Sequence, residues 1–599
     1  MVTRSTSLIA PASPVHYSID ASDVHAHLYR VTLTIAKPAK NQQLSLPVWI
    51  PGSYMVREFS KHLQKLVAKQ GEKPVAIAQT DKCHWQCTNT AAKPLVLTYE
   101  VYASDNSVRT AWLDAHRGFF NGTSLCLRVE GQVKRGHQLH IKAFKSIAAC
   151  KVATGAKALK IDKQGFGTYA FADYDELADT PFELGNFWRG QFSVRGVVHS
   201  FVIAGAPPTF EGERLLADTQ KIVETEMTLW HGSQAKPPFD NYVFMLNAVG
   251  DGYGGLEHRN STALICTRRD LPKLGQTKAS DGYITLLGLI SHEYFHTWNV
   301  KRLRPAEFGQ YDYSQEQYTQ LLWFFEGFTS YYDDLLLRRA GLIDNAQYLK
   351  LLNKTINQVQ QTPGAKVQSV AQSSFDAWVK YYRQDENTPN ATVSYYTKGA
   401  LVALCFDLTL RSEGKTTLDH VMRALWVRCK AGPMTEADFA AVLAQCSGRS
   451  YAQELKQWVH STADLPLSHL LQQQGVQVVE DKPQLAQRLG LRMTESQGTL
   501  QVKVVLRGGA AEQAGLCAGD EWLAVGTKRS ALWRMTKLDD LSLYVPERAG
   551  KPTSIQVLVS RDQRLHTLSL QLPSADQPSL ATWVLRAGDA AKVNAWLVG

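Results

Sequence analysis

Long apolar runs are what this chain most plainly lacks. The longest, such as "ITLLGLI" at 284–290, fall far short of the ~18 residues that a bilayer-spanning helix needs. The amino-terminal "MVTRSTSLIAPASPVHYSID" holds no apolar stretch of secretory-signal length either. Cysteine is sparse and odd in number, nine residues scattered from Cys83 to Cys517. That usage makes no disulfide framework and predicts reduced thiols in a cytoplasmic protein. Cys83 and Cys87 flank His84 in "CHWQC", but no second pair lies nearby and the alternation reads as a strand. No run of five or more like charges occurs. A formal excess of +10 over 599 residues is therefore a mildly basic, solvated surface. It implies neither nucleic acid nor membrane as a partner. Internal repeats and low-complexity tracts are missing too.

What the chain does have is length and core-forming capacity. With 44% hydrophobic and 10% aromatic residues, about three to five domains are expected. Residues 1–195 read as a β-rich domain, with β-branched and aromatic runs such as "HAHLYRVTLTI" and "LVLTYEVYA" broken by Pro, Gly and Asn. The early "WIPGSYMVREF" (49–59) is a Pro-Gly turn between apolar segments. Residues 196–341 change character. "YVFMLNAV" (242–249) is a buried strand, while "YITLLGLISHEYFHTWN" (283–299) and "YTQLLWFFEGFTSYYDDLLLRRAG" (318–341) carry helical spacing. Residues 342–473 form a helical bundle with short breaks. A compact β-rich module follows at 474–573, then an extension, 574–599, to which the sequence assigns no role. The fold class is multidomain α+β.

The chemistry starts in "ISHEYFHTWN", residues 290–299. On a helix, residues i and i+4 share a face, so His292 and His296 offer two imidazole nitrogens to one ion. Glu293 points about 100° round the helix and reaches a water rather than the ion. Catalytic zinc keeps three protein ligands and one open position. Glu326, thirty residues after His296 (326 − 296), is the candidate third ligand. An acidic residue inside "LLWFFEGF" is costly to bury uncompensated; a salt bridge is the alternative to a cation. With one Zn²⁺ per chain, Glu293 becomes the general base. Asp333, about two helical turns beyond Glu326, is a candidate acceptor for a ring N–H of a ligating histidine.

"HEYFHTWNVKRLRP", "WFFEGFTSYYDD", "GYGGLEHRNS" and "WIPGSYMVREF" together resemble the glycyl aminopeptidase family of zinc metallopeptidases. The resemblance covers about residues 14–573 and implies a thermolysin-like (gluzincin) catalytic domain. In related aminopeptidases a Gly-x-Met-Glu-Asn strand lines the site. Its match here, "GGLEH" (254–258), implies that Glu257 holds the substrate's α-amine, with Gly254 and Gly255 letting backbone approach closely. His258 replaces the usual Asn. A Tyr-x-Lys-Gly motif, matched by "YTKG", implies that Tyr396 donates to the oxyanion; Tyr395 is its neighbour. In the insert "KRLRPAEFGQYDY", Arg302 and Arg304 are candidates to meet a peptide carboxylate. "RGGAAEQAGLCAGDEWLAVG" is similar to the PDZ core of bacterial proteases. It implies a carboxylate-binding loop at Leu489, Gly490 and Leu491 and a carboxy-terminal peptide as ligand.

The expected function is zinc-dependent removal of small amino-terminal residues, Gly or Ala, from peptides with a free amino terminus. Two alternatives stand beside it. One is a zinc endopeptidase that recruits carboxy-terminal tails through the PDZ domain. The other is a non-catalytic PDZ adaptor, which the presence of Glu293 argues against.

Overall fold

The computed structural model describes residues 15–90, 93–233, 235–528, 530–546, 550–576 and 582–598. Residues 1–14, and 577–581 within the carboxy-terminal extension, lie outside them. The chain divides into two compact units, residues 1–317 with 431–433, and 318–430 with 434–599. It is an α+β protein with a β-rich amino-terminal region and a helical region further on. No helix among the described residues is long and apolar enough to cross a membrane. All nine cysteines are free.

In the first unit, an eleven-stranded and a four-stranded sheet share one apolar core. Alternation drives it: Val15–Asp23 buries every second side chain, with Val15, Tyr17 and Ile19 inward. Behind these sheets lies a five-stranded sheet. Its order is Trp188–Val194, Val197–Ala204, Asn241–Val249, Ser261–Thr267, Gly254–Glu257. The three central strands are parallel and the last, at the edge, is antiparallel. Helix α1 (Gly212–His231) makes the crossover, and helix α2 (Asp281–Phe295) packs beside it. Ser280 caps α2 by accepting the N–H of Tyr283. The buried Ser291 hydroxyl of α2 donates to Glu226 of α1 at 3.0 Å.

The second unit begins differently from the sequence pattern. Residues 318–321 are not helical. Residues Leu322–Phe325 form a turn of helix and α3 (Gly327–Arg339) follows. The break falls at Glu326, whose φ of −94° distorts the helix while its N–H still reaches Leu322 and its carbonyl still accepts Ser330. Gly327 lies against Gly399 of α5 (Thr397–Glu413) so closely that a Cβ there would sit 2.5 Å from the Gly399 Cα. Between them in the chain runs α4 (Asn345–Gln360).

The β-rich module has its own core around Leu489, Leu491, Trp522 and Val557. Gly490, at φ +70°, closes the helix Leu485–Leu489 and gives its N–H to Gln487, and Leu491 opens the strand Leu491–Ser496. Both leucines lie in the core, and the segment expected to bind a carboxylate is a helix cap entering a strand. The carboxy-terminal extension also has a place. Its strand Thr582–Ala587 pairs antiparallel with Val476–Asp481, and Trp583 exchanges two hydrogen bonds with the Asn357 side chain of α4. Its helix α6 (Ala590–Val598) buries Trp596 edge-on against Tyr348, with the indole N–H 3.4 Å from the Tyr331 hydroxyl of α3. Trp596→Ala should therefore destabilise the second unit by about 3–5 kcal/mol, read as a lower urea midpoint by circular dichroism.

Candidate active site

Helix α2 ends at Phe295, so His292 lies in its last turn and His296 caps it. Their Nε2 atoms are 3.0 Å apart, with the rings nearly perpendicular. Two ligands of tetrahedral zinc are about 3.3 Å apart, so the pair has the spacing of two ligand nitrogens. The Nδ1 of His296 is 2.8 Å from the carbonyl of Asn299. A carbonyl only accepts, so Nδ1 carries the proton and Nε2 presents its lone pair, as a metal requires. This acceptor is a backbone atom and has no sequence signature. For His296 it takes the place expected of Asp333, whose carboxylate on α3 accepts the N–H of Asp334.

The turn that supplies Asn299 is strained. Val300 has φ +140°, a region β-branched residues avoid. The next residue, Lys301, turns inward, its N–H on the His296 carbonyl. Its ammonium meets Asp179 at 2.6 Å, both buried. Asp179 also accepts from the Arg259 N–H at 3.1 Å and lies 3.2 Å from His258 Nδ1. Burial alone raises a carboxyl's pKa, but Lys301, then His258 and Arg259, overcome it and hold Asp179 well below the carboxylate range. His258 is thus a buried tie to Asp179.

Glu257 ends the edge strand and is buried, and its Oε1 has no hydrogen-bond partner among the described residues. The turn at Pro51–Tyr54 covers it. Gly52, at φ +94°, comes so near that a Cβ would stand 2.5 Å from both carboxylate oxygens. Gly255 does the same for Glu293, since a Cβ there would overlap the Glu293 carboxylate. The amino-terminal domain thus lines the site, a role that nothing in its residue pattern announces. Gly254, next to Gly255, stands beside Arg109, whose guanidinium donates to the Gly255 carbonyl at 3.1 Å.

The two arginines of the insert are engaged elsewhere. Arg302 donates to the carbonyls of Thr297, Arg259 and Pro238 and lies over the Phe239 ring. Arg304 donates to Lys301 and lies over Tyr311. Near Cys83, the donor atoms of Asp81, Cys83 and His84 also cluster. There the Asp81 carboxylate accepts the N–H groups of Cys83 and His84 as a turn cap.

In the second unit, Glu326 is buried at the distorted start of α3. Tyr396 precedes α5, half-buried and stacked on the fully buried Tyr395, with its hydroxyl 3.4 Å from that of Tyr382. Burial, then the Glu326 carboxylate, raises the Tyr396 pKa well above that of a free phenol, so the hydroxyl keeps its proton.

The family model for peptidase M61 glycyl aminopeptidase matches residues 285–402, and that for the peptidase M61 N-terminal domain matches 16–186. A crystal structure of an aminopeptidase N family protein from Idiomarina loihiensis superposes with a TM-score of 0.91 at 38% identity, covering 98% of this chain and 100% of that one. An M1 zinc metallopeptidase from Deinococcus radiodurans is 14% identical over 76% of this chain and 94% of its own, with a TM-score of 0.45. Legionella pneumophila aminopeptidase A is 11% identical over 95% and 57%, with a TM-score of 0.49. Neither of these two distant likenesses carries weight. No curated protein matches the chain. Fold and matched segments together define a peptidase. The chain belongs to the M61 glycyl aminopeptidase family.

Removing the Asp179 carboxylate leaves Lys301 buried without its counter-charge. Asp179→Asn should cost about 3–5 kcal/mol of stability. Because the carboxyl's folded pKa lies below its unfolded value of about 4, its contribution is complete above about pH 4 and is lost as the pH falls below that. Urea midpoints measured from pH 7 down to pH 2 should accordingly fall less steeply in the variant than in the parent.

Proposed function

We propose that the protein is a zinc aminopeptidase acting on the first peptide bond, with a preference for amino-terminal Gly or Ala that rests on family membership. The observation that carries the exopeptidase reading is Glu257. A buried carboxylate with an unmatched oxygen calls for a cation, and it lies two residues along the strand from Gly255, against which Glu293 packs. A substrate ammonium answers that demand and makes the enzyme count from the amino end.

His292, His296 and Glu326 are the residues that would hold the metal. The lone pair oriented on His296 supports this set, as does the otherwise costly burial of Glu326. A zinc ion bound there supplies a Lewis acid that brings a water's pKa to about 7. Glu293 then takes the proton from the attacking water and hands it to the leaving amine. Tyr396 keeps its own proton and donates a hydrogen bond to the oxygen that becomes negative. Glu257 holds the amine in place throughout. Asp333 is left as the acceptor proposed for His292. Residues 474–573 are read as a PDZ-type module, supported by its separate core and the short helix Ala510–Gln513 before a Gly-Asp turn. A partner at that module is not needed for the chemistry.

Hydrolysis of Gly-, Ala- and Leu-headed peptides beside N-acetylated copies, with and without a chelator, tests the reading. Cleavage that needs the metal and a free amine is the expected result, with Gly and Ala ahead of Leu. Glu293→Gln should lower kcat by about 10²–10⁴-fold and Tyr396→Phe by about 10²–10³-fold. Glu257→Ala should lower kcat/KM on free amines by about 10–100-fold. Equal cleavage of blocked peptides would instead indicate an endopeptidase.

A further inference from the structure

Arg109 lies in the amino-terminal domain, far in sequence from the histidine helix, yet it reaches the edge strand Gly254–Glu257. Its loop is pinned by short-range hydrogen bonds. Asp105 accepts the Ser107 N–H, Thr110 donates to the Asp105 carbonyl, and Asn121 donates to the Val108 carbonyl. The side chain is therefore delivered from a fixed base. One amino group donates to the Gly255 carbonyl, but Nε is buried with no hydrogen-bond partner among the described residues. No carboxylate among them pairs with the guanidinium. A planar cation with donors to spare, beside a strand with a free edge, fits a carboxylate better than anything now around it.

Its position along the strand says whose carboxylate. Glu257 receives the amine, and Gly255, two residues back, is where Glu293 packs. Arg109 stands beside Gly254, its guanidinium nitrogens 3.7 and 3.9 Å from where a Cβ would be. Neighbouring strand residues face opposite ways, so the guanidinium comes in from the Gly254 face and reaches round to the Gly255 carbonyl, further along the strand from Glu257, on what we take as the leaving-group side. From Glu257 to Gly254 the strand rises about 10 Å, the length of an extended tripeptide.

We propose that Arg109 binds the terminal carboxylate of tripeptides, so that the site grips a short substrate at both ends. This rests on the aminopeptidase reading above and adds a length and end-group preference to it. A bare edge-strand brace would need the hydrogen bond to Gly255 but not the charge.

The test compares Ala-Gly-Gly with its carboxy-terminal amide, Ala-Gly-Gly-NH₂, in the parent chain and in Arg109→Gln and Arg109→Lys. Gln keeps a donor for the Gly255 carbonyl and removes the charge. The parent should favour the free acid by about 10–100-fold in kcat/KM. Arg109→Gln should abolish that preference, mainly through KM on the acid, while the amide changes less than about threefold, which also reports that the variant is folded. Arg109→Lys should recover part of the preference. Equal cleavage of acid and amide by the parent, or an equal loss on both in Arg109→Gln, overturns the role of Arg109 and leaves the aminopeptidase standing. No cleavage of either peptide by the zinc-loaded parent overturns the aminopeptidase reading itself, and this proposal with it.

Discussion

A carboxylate taken out of water must be met by positive charge, and this protein takes several out of water within a few residues of one helix end. Asp179 is answered from within by Lys301, with His258 and the Arg259 N–H beside it. The pair does more than neutralise a charge. It pulls Lys301 inward, and so holds the strained turn at Val300 that aims the Asn299 carbonyl at His296. Of the Glu257 carboxylate, Oε1 has no hydrogen-bond partner among the described residues, and that is the observation behind the ligand role proposed for it.

Much of that arrangement depends on the amino-terminal β-domain. It contributes Asp179 behind the histidine turn, Gly52 over Glu257 and Arg109 at the edge strand. Each contact is made by a loop at the margin of the sheets, where backbone is free to approach. The sheets themselves fix those loops through a core of alternating inward side chains.

The second unit has a comparable economy. Helix α3, which begins at Glu326, is close to α5 because both meet at glycine, and its far half is buttressed by Trp596. The same carboxy-terminal extension adds a strand to Val476–Asp481. An edge that would otherwise be open to an incoming peptide is thereby covered by the chain's own end.

Local pattern made part of this legible in the sequence. The period of apolar residues located helices α2, α4 and α5 and the buried strand at 241–249, because burial of one face dictates it. The spacing of His292 and His296 is likewise local, since a helix alone puts i and i+4 on one face. The pattern over 318–341 misled, because a helix start and a distortion at Glu326 leave apolar spacing almost unchanged. Arg302 and Arg304 looked available by charge and neighbourhood, yet three backbone carbonyls and an aromatic ring hold the first of them. Asp179 lies 122 residues from Lys301, Gly52 205 from Glu257 (257 − 52) and Arg109 146 from Gly255, and no period connects them. The sequence by itself determined which residues are candidates for the chemistry and on which kinds of element they ride. Only the tertiary structure decided which buried polar atoms find a partner within the chain, because that pairing depends on side chains brought together across the chain.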